Sequence, residues 1–95
     1  MKREDRQKVK KMIQEKGYTP VIAYESLPFD KQIVDIIYVD MDGNARRTKA
    51  YYHREPFGRE YFVGMEHPVK CNRMANVVAW RYDKLEFLED ESEFV

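Results

Sequence analysis

Residues 33–53 read IVDIIYVDM-DG-NARRTKAYYH, and how this stretch is read decides the fold. Ile33 to Met41 is rich in β-branched and aromatic residues, which suit a pleated, half-buried strand. Asn44 to His53 is a second run of the same kind. Asp42-Gly43 between them is a turn dipeptide, so the two runs are expected to form an antiparallel hairpin. A two-residue turn would pair Met41 with Asn44, Val39 with Arg46 and Ile37 with Thr48. One face would then carry Ile33, Ile37, Val39, Thr48, Ala50 and Tyr52. The other would carry Val34, Ile36, Tyr38, Arg47, Lys49 and Tyr51. A slip of one residue swaps the two sets.

Toward the N-terminus, residues 2–16 read as a helix. Val9, Met12 and Ile13 give it one narrow apolar stripe, so it is expected to lie over an edge or open end of something else. Gly17 is a natural stop, and Lys10, Lys11 and Lys16 suit the negative end of the helix dipole. Tyr18 to Leu27 (YTPVIAYESL) reads as strand or loop, bracketed by Pro20 and Pro28. Pro28-Phe29-Asp30 reads as a turn.

Toward the C-terminus, Pro56 to Arg59 is a second turn and Glu60 to Met65 (EYFVGM) a third strand. His67 to Met74 reads as irregular. Ala75 to Tyr82 (ANVVAWRY) is a further strand, which Lys84 to Leu88 extends or follows. Glu89 to Val95 is a mostly acidic tail. The expected architecture is mainly β (α+β): a small, strongly bent antiparallel barrel of about five strands, with one N-terminal helix. Closing the sheet removes the exposed edges that so small a sheet would otherwise present. The chain divides into a helix over 1–17, a barrel over 18–88 and a tail over 89–95, all within one domain.

Composition narrows the function. With 43% hydrophobic and 36% charged residues the chain is globular rather than disordered. Its 17 basic and 17 acidic residues cancel, which suits bulk capture of nucleic acid less well than a uniformly basic domain would. Charge is nonetheless segregated: residues 1–16 hold seven basic and three acidic residues, residues 83–95 one and six. The acidic tail is a solubilising end, or else it folds over the basic hairpin and competes with an anionic ligand. The single cysteine, Cys71, rules out an internal disulfide and favours a cytoplasmic home. MKREDRQKVKK at the start has no apolar segment, so no signal peptide is expected, and no apolar run is long enough to span a membrane.

Chemistry-bearing residues are few. His53, His67 and Cys71 lack the further ligands a zinc site needs. Asp40 and Asp42 are accounted for by turn chemistry. No phosphate loop, nucleophile elbow or His-Glu-x-x-His motif is present, so neither catalysis nor a cofactor is expected. What remains is Arg46-Arg47-Thr48-Lys49-Ala50-Tyr51-Tyr52-His53-Arg54, where cations are interleaved with aromatics. Cations there would hold phosphates while a tyrosine stacks on a base. The plainer alternative is a solvated strand face with Tyr51 or Tyr52 in the core.

Three stretches together resemble the WYL domain. Tyr38-Val39-Asp40-Met41-Asp42-Gly43-Asn44 followed by Arg46-Arg47 resembles its opening hairpin. Gly58-Arg59-Glu60-Tyr61-Phe62-Val63-Gly64 resembles the stretch that names it, with Tyr61 on the motif tyrosine and Glu60 and Phe62 in place of tryptophan and leucine. Trp80-Arg81-Tyr82-Asp83-Lys84-Leu85 resembles its closing pattern. The resemblance covers about residues 33–88. It implies an SH3-like or Sm-like barrel that serves as a regulatory, ligand-sensing or nucleic-acid-binding module in bacteria. It adds Tyr61 and Arg81 to the candidate contacts. The expected function is thus a non-catalytic module that binds a nucleotide, single-stranded nucleic acid or other anion through Arg46, Arg47, Lys49, Tyr51, Tyr61 and Arg81. The alternative is a small accessory that acts through a protein partner or its own second copy.

Overall fold

The computed structural model describes residues 2–22 and 26–89. One helix, α1 (Arg3–Lys16), precedes six strands: β1 (Thr19–Pro20), β2 (Ile33–Val39), β3 (Ala45–Arg54), β4 (Glu60–Gly64), β5 (Arg73–Met74) and β6 (Val77–Arg81). The strands form one antiparallel sheet in the order β1-β6-β2-β3-β4-β5. This is the mainly β architecture with one helix that the residue pattern predicts, with six strands where about five are expected. Tyr18–Leu27 contributes only Thr19–Pro20, and residues 23–25 of it lie outside the described residues. The segment expected to be irregular supplies Arg73–Met74. Residues 86–88 run beside the start of β2: Ile33 N–H donates to the Glu86 carbonyl and Leu88 N–H to that of Lys31, both at 2.8 Å. Of the acidic tail, residues 90–95 lie outside the described residues.

The sheet is sharply curled, and the chain's reach shows why it must be. Laid flat, β5 and β6 would stand four strand spacings apart, roughly 19 Å. Only Ala75 and Asn76 connect them, and three residue steps reach at most about 11 Å. Among the described residues, no strand ladder joins β5 to β1 or β6.

The hairpin forms, but its register corrects the two-residue turn. Three residues, Met41–Gly43, separate Asp40 from Asn44, and Asp40 N–H donates to the Asn44 carbonyl at 2.9 Å. Gly43 takes the left-handed conformation (φ 82°), and its N–H returns to the Asp40 carbonyl at 3.1 Å. A tight turn followed by one left-handed residue is the favoured three-residue hairpin loop. The Asp40 carboxylate stabilises it further by accepting from the N–H groups of Asp42 (3.0 Å) and Asn44 (2.8 Å). Val39 therefore pairs with Ala45, Ile37 with Arg47 and Ile36 with Thr48. One position of shift exchanges the β2 residues between the faces. Val34, Ile36 and Tyr38 join Thr48, Ala50 and Tyr52 on one side. Ile33, Asp35 and Ile37 join Arg47, Lys49 and Tyr51 on the other.

The two faces bury different cores. The concave side packs Val34, Ile36, Tyr38, Ala50, Tyr52, Phe62 and Trp80, with Leu27, Val69 and Met74 against them. The opposite side receives α1: Val9 is buried with Tyr18, Ile37 and Ala79, flanked by Met12 and Ile13. Acidic Glu4 and Asp5 open the helix, Lys16 closes it, and Gly17 ends it in the left-handed conformation. The narrow stripe thus covers only the β2–β6 end of the sheet face. Asp5 ties the helix down, since its Oδ2 accepts the N–H of Ala45 at 2.9 Å. Beyond the helix end this face carries exposed Arg47 and Lys49, while Tyr51 farther along it is wholly buried.

Candidate anion-binding groove

The open part of the helix-side face is organised by strand register. Arg81 on β6 lies directly opposite Asp35 on β2, and Asp35 lies opposite Lys49 on β3. Side chains so paired stand about 4.5–5.5 Å apart at Cβ. Tyr18, the residue before β1, extends the row at one end: the Arg81 guanidinium carbon sits 4.9 Å from the centre of its ring. Arg47, two positions before Lys49 on β3, adds a second cation from the same face. Glu66, in the loop after β4, closes the other side, its Oε1 accepting the Lys49 N–H at 2.9 Å.

These residues line two adjoining hollows. One, of about 240 Å3, is walled by Tyr18, Asp35, Arg47, Lys49, Glu66 and Arg81. The other, of about 340 Å3, shares Asp35, Lys49 and Glu66 and runs on past Tyr82 to Lys84 and Glu86. Arg81 is anchored from behind, its Nη1 donating to the Lys16 carbonyl at 3.0 Å. Its Nε is buried and finds no hydrogen-bond partner among the described residues. The ion pairs among the described residues lie elsewhere: Arg46–Asp40, His53–Glu55 and Arg54–Glu60. The charges of the groove are therefore not tied to one another.

Three of the six residues expected to bind ligand, Arg47, Lys49 and Arg81, come together here. The other three stand elsewhere. Arg46 is at the hairpin end, paired with Asp40 at 2.8 Å. That bond holds the Asp40 carboxyl below its ordinary range, helped by the Asn44 N–H, and raises the Arg46 guanidinium. Tyr51 is wholly buried. It is a core ring, as one reading of the hairpin had it, and offers no face to a base. Tyr61 lies on β4 between two neighbours: the His53 ring stacks at 4.9 Å and the Arg73 guanidinium lies 4.5 Å from its centre. Both faces of Tyr61 are thereby engaged.

Tyr18, Asp35 and Glu66 escaped the sequence reading. Asp35 was findable, since correct register places it between two cations. Tyr18 and Glu66 reach the groove through contacts distant in sequence, which leave no local signal. A further cleft of about 430 Å3 opens into the concave core between Val21, Leu27, Phe62 and Met74. Among the described residues, no group of three or more His, Cys, Asp or Glu is placed to hold a metal ion. None of their helices is long and apolar enough to cross a membrane. Comparisons with family models, curated proteins and solved structures found no match to this chain.

Proposed function

We propose that this chain is a non-catalytic, cytoplasmic binding module for a small anionic ligand, held in the groove of Arg47, Lys49 and Arg81. The observation that carries this reading is the convergence of those three cations, from two strands, on one hollow beside Tyr18. A guanidinium stacked on an aromatic ring and hydrogen-bonded behind is pre-oriented, so less freedom is lost when it meets an oxyanion. Two carboxylates in the same hollow weaken the positive field. A nucleotide-sized anion therefore fits better than a strand of nucleic acid, which needs a continuous basic track.

The finer description of the fold belongs to this proposal. The two-residue link from β5 to β6 supports a closed SH3-like or Sm-like barrel, and the resemblance to the WYL domain supports a regulatory, ligand-sensing role. The test is calorimetric titration with inorganic phosphate and with adenosine monophosphate at low and high salt. Affinity is expected to fall with salt, and by about tenfold or more in an Arg47→Ala/Lys49→Ala variant, as loss of charge-assisted bonds implies. Binding indifferent to both would refute the reading.

A further inference from the structure

The groove holds charges of both signs in a fixed order. Across the sheet the sequence is Arg81, Asp35, Lys49, with Arg47 beside Lys49 and Glu66 on the rim. Cross-strand neighbours of opposite charge ordinarily attract and close on one another. Here Asp35 is ion-paired with neither Lys49 nor Arg81, and Arg47 takes no carboxylate partner, since the ion pairs among the described residues lie outside the groove. Glu66 has one oxygen engaged by a backbone N–H, which fixes its carboxylate at the rim. The Arg81 Nε remains buried with its proton undonated among the described residues, which is costly for a polar group unless something supplies an acceptor.

We infer that the ligand of this groove is a small zwitterion, with an oxyanion for Arg47 and Arg81 and a primary ammonium for Asp35 and Glu66. The inference rests on the anion-binding reading above and narrows it. A purely anionic ligand would bring its charge beside two carboxylates that form no contact ion pair, and repulsion would offset part of what the cations contribute. A ligand carrying an ammonium a few bonds from its oxyanion satisfies both sets at once. The ammonium donates three hydrogen bonds in a compact cluster, which suits two carboxylates on neighbouring elements. The hollows, about 240 and 340 Å3, accommodate a molecule of that size. The geometry favours neither a carboxylate nor a phosphate as the oxyanion.

The experiment compares four probes on the intact chain by calorimetry: O-phosphoethanolamine, β-alanine, inorganic phosphate and ethanolamine. O-phosphoethanolamine or β-alanine is expected to bind about tenfold or more tightly than phosphate and ethanolamine, as one charge-assisted ammonium site implies. Whichever zwitterion binds better identifies the oxyanion. Asp35→Asn and Glu66→Gln keep the side-chain shape, and Gln retains an acceptor for the Lys49 N–H. Each is expected to abolish the preference for the zwitterion while leaving phosphate binding equal or stronger. If phosphate binds as well as both zwitterions, or if Asp35→Asn strengthens all anionic probes alike, the groove is a plain anion site. The zwitterion inference then falls while the anion-binding reading stands. If no probe binds, both fall.

Discussion

The guanidinium of Arg81 lies 4.9 Å over the Tyr18 ring while its Nη1 holds the carbonyl of Lys16, so one side chain joins the last strand to the end of the helix. The contact has a structural and a functional side. It satisfies a carbonyl in the last turn of α1, where carbonyls lack partners within the helix. It also fixes the orientation of the guanidinium beside the groove that Arg81 lines.

Arg81→Ala should therefore affect stability and binding together. Loss of the stack and of the hydrogen bond is expected to lower stability by about 1–2 kcal/mol. Urea unfolding measures this. Arg81→Lys keeps the charge but not the planar fork. It should recover less than half of the phosphate affinity in calorimetry, and full recovery would show that charge alone matters at this position.

The hairpin end makes stability depend on pH at Asp40. The hydrogen bond from Arg46, followed by that from the Asn44 N–H, lowers the folded-state value from its ordinary 3.8. A lowered value means the carboxylate contributes stability above the unfolded value, and that contribution disappears as pH falls through the folded one. Asp40→Ala should thus melt below the parent at neutral pH. The gap should narrow once pH drops below the usual aspartate range. Thermal melts across that range, read against the variant, test the sign.

Gly43 and its left-handed backbone set the hairpin register. A Cβ there meets no atom within 4 Å, so any cost is conformational rather than steric. Gly43→Val is expected to cost about 1–2 kcal/mol. Gly43→Asn should cost clearly less, because asparagine tolerates this conformation. Equal losses in urea unfolding would argue against the three-residue loop.

Gly64 differs because its limit is steric. A Cβ on Gly64 would press into the backbone carbonyl of Val69, and its side chain leaves no room either. The loop cannot easily withdraw, since Gly64 N–H bonds the Asn72 carbonyl (2.9 Å) and Cys71 N–H bonds that of Gly64 (2.8 Å). Gly64→Ala is expected to cost about 1–3 kcal/mol, which for a chain of this size lowers the melting midpoint by several degrees, about 4–8 °C per kcal/mol. Because Glu66 is carried by the same loop, the variant should also lose selectivity among the four probes. A melting point unchanged within a degree would show that the loop moves aside freely.

How much of this was legible in the residues follows from range. The helix over residues 2–16 and its stop at Gly17 follow from spacing and capping, which act within a few residues. The strands at Ile33, Glu60 and Val77, and the reversal near Asp42-Gly43, are equally local. Arg47 and Lys49 share a face in any register because they are two apart on one strand. The sequence by itself therefore determined the helix, the four longer strands, their antiparallel hairpin and one pair of candidate cations. The tertiary structure decided which β2 residues share that face, because a single left-handed residue at Gly43 changes the loop length and exchanges the sides. It buried Tyr51 but left Lys49, two positions before it on the same face, exposed, and the alternation of β3 alone says nothing of that difference. It placed Arg81 on Tyr18 and Asp35 between two cations, because strand order, not sequence distance, sets which side chains become neighbours.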